Sequence, residues 1–119
     1  MTAIFRVDET DLPWLEYKAS ADPDGRVGVR VKALTSSERD VPPMQYVEYA
    51  AGHTDPIHSH DTDEVFIVIS GELWLDEASS GPGSVVFIPR DTEYSVRGGA
   101  DGVRFFRVVI PALSAGRGR

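Results

Sequence analysis

Short stretches in which apolar and polar side chains alternate recur along this chain, each cut off by glycine, proline or aspartate, and no stretch carries the apolar spacing of a long helix. Alternation at period two puts the apolar side chains on one face, so such a chain must fold as sheets that cover each other's apolar faces. Val27, Val29 and Val31 alternate with Gly28, Arg30 and Lys32, which predicts a half-buried strand running on toward Leu34 after a turn at Asp22-Pro23-Asp24-Gly25. Residues 45–50 alternate as well and stop at Gly52. Residues 65–69 are apolar at every position, which predicts a strand buried on both faces. A tight turn is expected at Ser70-Gly71, then a strand over 72–76 and a break across Ser79-Ser80-Gly81-Pro82-Gly83. Residues 85–88 and 103–110 supply the last strands. A helix fits only residues 10–18, where Pro13 limits it to about one or two turns. The expected fold class is all-β, a sandwich or barrel with the connections of a double-Greek-key jelly roll.

At 119 residues the chain makes one domain, long enough for its own core and too short for two. That domain is expected to span 1–113, with 1–20 as an N-terminal arm and 114–119 as a disordered tail. The absence of cysteine excludes disulfides, thiolate metal sites and cysteine nucleophiles. Twelve basic against nineteen acidic residues give a net charge of −7, which repels nucleic acid and anionic membranes. No apolar run approaches the ~18 residues of a membrane span, and the N-terminus lacks the basic-then-apolar pattern of a secretion signal. The cytoplasm is the expected compartment, with no nucleic-acid or membrane partner.

Function is concentrated between Gly52 and Gly71, where His58, His60 and Glu64 stand close together in sequence. Two histidines and a carboxylate at such spacing are candidate metal ligands. His58 and His60 share one face of a strand, but a straight strand rising about 3.3 Å per residue would leave Glu64 roughly 13 Å from His60. No single ion spans that gap. Asp61-Thr62-Asp63 must therefore fold the chain back, and these are residues that favour turns by bonding to their own backbone.

The spacing Gly52-x5-His58-x-His60-x3-Glu64-x6-Gly71 resembles the first motif of the cupin superfamily, in which both histidines and the glutamate are ligands. A second cupin motif, G-x5-P-x-G-x2-H-x3-N, is matched at Gly83 and Pro89 and departed from at Asp91, Tyr94 and Gly98. The resemblance implies a double-stranded β-helix, the jelly-roll barrel of the cupins, around a divalent transition metal such as iron, manganese, nickel or zinc. It places Tyr94 where the family's third histidine completes the site. Tyr94 is therefore expected to face the metal, either as a phenolate ligand or as a neutral hydroxyl that donates to a bound species. The resemblance also implies a homodimer, to which the alternating Ile4-Phe5-Arg6-Val7 would add a strand on a neighbour's sheet.

Other residues read more plainly. His53, at odd parity to the histidine pair, is expected to be an exposed loop residue. Asp61 and Asp63 are turn formers that could also orient an imidazole through its second nitrogen. Phe66, Phe87, Phe105 and Phe106 are expected in the core, with Phe66 sharing Glu64's parity. Arg104 and Arg107 lie on opposite faces of one strand, so at most one points inward, where it would clamp a substrate carboxylate. The leading expectation is a metal-dependent enzyme acting on an oxygen-rich small molecule, with Glu64 and Tyr94 in the chemistry. It would be either a dioxygenase or a Lewis-acid isomerase, lyase or cyclase. The alternatives are a metal- or ligand-sensing module that acts through a protein partner, and a degenerate site that holds no metal.

Overall fold

The computed structural model describes residues 4–19, 27–35 and 41–111. The turn expected at 22–25 and the tail at 114–119 lie outside the described residues. Among the described residues eight strands follow in chain order: β1 Leu15–Ala19, β2 Val27–Ala33, β3 Met44–Tyr49, β4 Thr54–His58, β5 Asp63–Leu75, β6 Ala78–Ser80, β7 Val85–Ile88 and β8 Tyr94–Ile110. They form one antiparallel sheet in the order β1-β2-β3-β8-β5-β6, with β4 added to β8 and β7 added to β5. The all-β jelly roll read from the sequence is what the chain adopts.

The long strands β5 and β8 hold the roll together and give it its bend. Their pairing runs from Asp63 opposite Ile110 to Leu75 opposite Val96, with register shifts around Ser70–Leu73. At that point Gly71 and Gly102 both take positive φ, 79° and 78°, and a Cβ on Gly71 would lie 2.2 Å from the Gly102 carbonyl oxygen. Only glycine permits so close a backbone approach. Here the sequence expectation fails: Gly71 marks a bulge inside one continuous strand, not a tight turn between two. A bulge and a hairpin use the same glycine signal. The break expected at 79–83 starts later, because Ser79 and Ser80 still pair with Trp74 and Leu73.

Period two then sorts the side chains. Val29, Val31, Val47, Tyr49, Phe66, Val68, Val103 and Phe105 point inward and are buried. Phe87 does not join them; it is 54 % exposed, on the opposite face of β7 from buried Ile88. The run 65–69 is likewise buried on one face only, with Ile69 exposed. Apolar character on both parities hid which face was inner. Phe106 lies on the outer face against Tyr46, ring centroids 5.4 Å apart.

No helix forms over 10–18. Asp8 caps a short 3-10 turn, Glu9–Asp11, by accepting from the Thr10 N–H at 2.9 Å, and Leu12 is already extended at φ −113°, ψ 142°. A residue before proline is pushed out of the helical region, and Pro13 follows it. The segment instead lies on the outer face. Trp14 has Arg30, Lys32 and Arg104 within about 5 Å of its ring. Glu9 accepts from buried Lys32 at 2.8 Å and pairs with Arg104 at 2.9 Å. Further toward the N-terminus, residues 4–7 form no strand, and Ile4 and Val7 are exposed.

Candidate active site

The barrel surrounds a cavity of about 190 Å³ whose lining mixes the apolar side chains of Val29, Val31, Val47, Phe66, Val96 and Phe105 with polar ones. His58, His60, Glu64, Tyr94 and Arg107 are among the polar ones. The expected fold-back after His60 is present: its Nε2 lies 4.0 Å from Glu64 Oε1. His58 ends β4 opposite Tyr94 on β8, and its ring centroid lies 4.7 Å from that of Tyr94 and 5.0 Å from that of His60.

Each group is oriented from behind. His58 Nδ1 lies 2.8 Å from the Pro56 carbonyl oxygen, which can only accept, so Nδ1 carries the proton and Nε2 keeps the lone pair in the neutral ring. The backbone N–H of Asp91 donates to the His60 carbonyl at 2.7 Å, tying the histidine loop to the β7–β8 turn. Asp91 stands at the cupin glycine position with φ 63°, a left-handed conformation that aspartate tolerates better than most residues. Asp63 is buried and accepts from the Arg90 N–H at 2.8 Å, so it anchors the start of β5 to the same turn. Asp61 is exposed.

Glu64 is 1 % exposed and fully engaged. Tyr94 donates its hydroxyl to Oε1 at 2.7 Å, and the Arg107 Nε donates to Oε2 at 2.5 Å while a second guanidinium nitrogen pairs with the same oxygen. Arg107 also donates to Gln45 Oε1 at 3.0 Å, its neighbour across β3. Parity held: Arg107 points inward, and Arg104 outward. The inward arginine serves the protein's own carboxylate, however, and does not stand free to clamp a substrate's. Burial first, and then the bond to Glu64, push the Tyr94 phenol far above its usual range, so it remains a neutral donor.

The donor set suits a transition metal in kind: two imidazoles, one with its tautomer fixed, and one carboxylate whose Oε1, bonded to Tyr94, keeps a second lone pair. In the arrangement described, among the described residues, no group of three histidine or acidic side chains is drawn together closely enough to hold an ion. Glu64 takes its positive partner from Arg107 instead.

His53 departs from its sequence reading. Its side chain is only 9 % exposed, with Nε2 lying 3.2 Å from Asp55 Oδ1. Asp55 itself is buried in the cavity wall and accepts from the Tyr49 hydroxyl at 2.5 Å. Sequence reasoning missed Asp55 and Tyr49. Tyr49 carried a signal, since it shares the inward parity of Val47, whereas Asp55 lies beyond a turn where no periodicity points inward.

No family model matches the sequence, and no curated protein does. Solved structures match by shape. A polyketide cyclase from Streptomyces resistomycificus aligns with a TM-score of 0.72 at 21% identity, covering 90% of this chain and 78% of its own. An RmlC-like cupin from Shewanella frigidimarina gives 0.73 at 13% identity over 96% of both chains. A predicted oxalate decarboxylase from Thermotoga maritima gives 0.68 at 18% identity, covering 89% of this chain and 98% of that one.

Proposed function

Because the chain has the cupin fold, we propose that it is a small metal-dependent enzyme that holds an oxygen-bearing small molecule in its barrel cavity. His58, His60 and Glu64 would hold a divalent transition metal such as iron, manganese, nickel or zinc. The observation that supports this reading is that all three line, with Tyr94, one cavity that apolar side chains also line. When bound, such an ion supplies Lewis-acid polarisation of a substrate carbonyl or enol.

The chain's own residues do the rest. Arg107 balances the charge of Glu64 and fixes its side chain toward the histidines. Tyr94 donates to the carboxylate from the other side. Gln45, its oxygen held by Arg107, offers its amide N–H groups to a substrate oxygen. The valines and phenylalanines exclude water from the bound molecule's apolar body. Proton-transfer chemistry, meaning isomerisation, elimination or cyclisation, is favoured over oxygenation by a second carboxylate, Asp55, in the lining of the same cavity. The Streptomyces neighbour is named as a polyketide cyclase.

Elemental analysis of protein purified without added metal is expected to find about one transition-metal ion per chain, and the loaded protein to turn over enolisable ketones. Neither metal nor thermal stabilisation by zinc, manganese or iron(II) would overturn the metal reading. Bound metal without turnover would make the chain a binding or sensing module.

We also propose a homodimer. Ile4 and Val7 are exposed on a stretch that pairs with no strand among the described residues, and Val85, Phe87 and Ile69 leave apolar area on the outer face. Light scattering at micromolar concentration is expected to give twice the chain mass, reduced to the monomer by deleting residues 1–8; an unchanged mass after the deletion would refute the arm's role.

A further inference from the structure

Asp55 and Tyr49, which line the same cavity, belong to a second cluster that the metal reading leaves unused. Asp55 pairs with Val96 on β8, two residues along from Tyr94 and on the same face. Tyr49 holds one carboxylate oxygen and His53 meets the other. The slot for His53 is built into the neighbouring strand: a Cβ on Gly28 would lie 2.3 Å from its Nδ1, so β2 leaves that space open for the ring. The ring packs edge-on against Tyr49 with centroids 5.5 Å apart. Burial, and then the bond to Asp55, push the Tyr49 phenol far above its usual range, so Tyr49 donates and does not compete for a proton. The other titratable or charged groups lining the cavity, among the described residues, are Tyr94 and Arg107 from β8, Glu64 from β5, and the two histidines.

A carboxylate that lines a cavity on one side and meets a nearly buried imidazole on the other has the layout of a positioned base. We propose that Asp55 takes an α-proton from a ketone bound in the cavity, the proton then exchanging with solvent through the cavity, and that His53 holds the Asp55 carboxylate in position. The C–H bond breaks, an O–H bond forms on Asp55, and the electron pair moves onto the carbonyl oxygen as an enolate. Returning a proton to the carbon restores the ketone, so no oxidant or reductant enters. This rests on the cavity being a reaction site, and not on which residues hold a metal.

The test is deuterium wash-in at the methylene of phenylacetone in D₂O, followed by proton NMR on the full chain. Wild type is expected to exceed buffer, Asp55→Asn to fall by about 100-fold or more toward the buffer rate, and His53→Gln to slow exchange at saturating ketone without changing the ketone concentration at half-saturation. Wild type exchanging no faster than buffer would overturn the proposal. So would an Asp55→Asn variant that exchanges like wild type; if exchange then vanished in His58→Ala/His60→Ala, the metal reading would survive and only the Asp55 role would fall.

Discussion

Arg107→Met is expected to destabilise the fold by about 3–5 kcal/mol, since it strands a buried carboxylate without its cation. Glu64 is 1 % exposed, and both contacts of its Oε2 come from the Arg107 guanidinium. Methionine keeps much of the arginine's length and apolar stem, so the loss isolates charge and not volume. In a domain of this size the melting temperature should fall by roughly 12–20 °C, read by circular dichroism. Adding Glu64→Gln to the same chain removes the stranded charge and should recover most of that fall. A divalent metal should also recover it, because the ion then supplies the missing positive charge at Glu64. A drop of only a few degrees in Arg107→Met would show that the carboxylate is neutralised by something other than this pair.

That pair also shows where the sequence stops being legible. The histidine–glutamate spacing and the turn residues between them predict the fold-back that leaves His60 Nε2 4.0 Å from Glu64 Oε1, and parity predicts that at most one of Arg104 and Arg107 points inward without choosing between them. What Arg107 would touch was not legible, because its partner lies 43 positions away and the contact follows from the β5–β8 register. The same limit hid Asp55 and Tyr49, whose relation to His53 depends on how β3 and β4 close around the barrel. Strand faces were legible where polar residues alternate, as in β2 and β3, and not in β5 and β7, where Val65, Ile67 and Phe87 are apolar at outward positions. Gly71 was read as punctuation because a local signal cannot distinguish a bulge from a turn. The bend it makes is nonetheless what lets one strand serve both halves of the roll.

The His58→Ala/His60→Ala variant is expected to lose its metal altogether, from about one ion per chain to none, with the fold intact. Neither ring is a core residue: the His60 side chain is 39 % exposed, and His58 contacts Tyr94 at the cavity wall. Their removal should therefore cost the apo protein about 1 kcal/mol or less. Glu64 and Tyr94 remain in that variant, so surviving metal would place the ion elsewhere and refute the ligand assignment. Tyr94→Phe makes the informative contrast. The phenyl ring keeps the packing on His58 and Phe66, while Glu64 Oε1 loses its donor, at a cost of about 1.5–3 kcal/mol for a hydrogen bond to a charged group. If Tyr94 acts as that donor, the variant melts earlier yet keeps its metal, because a carboxylate with one fewer donor is a stronger ligand. If Tyr94 is itself a ligand, metal affinity falls instead, and iron(III)-loaded wild type shows a visible phenolate band that the variant lacks. The geometry favours the donor, since the hydroxyl already points at Glu64 from 2.7 Å.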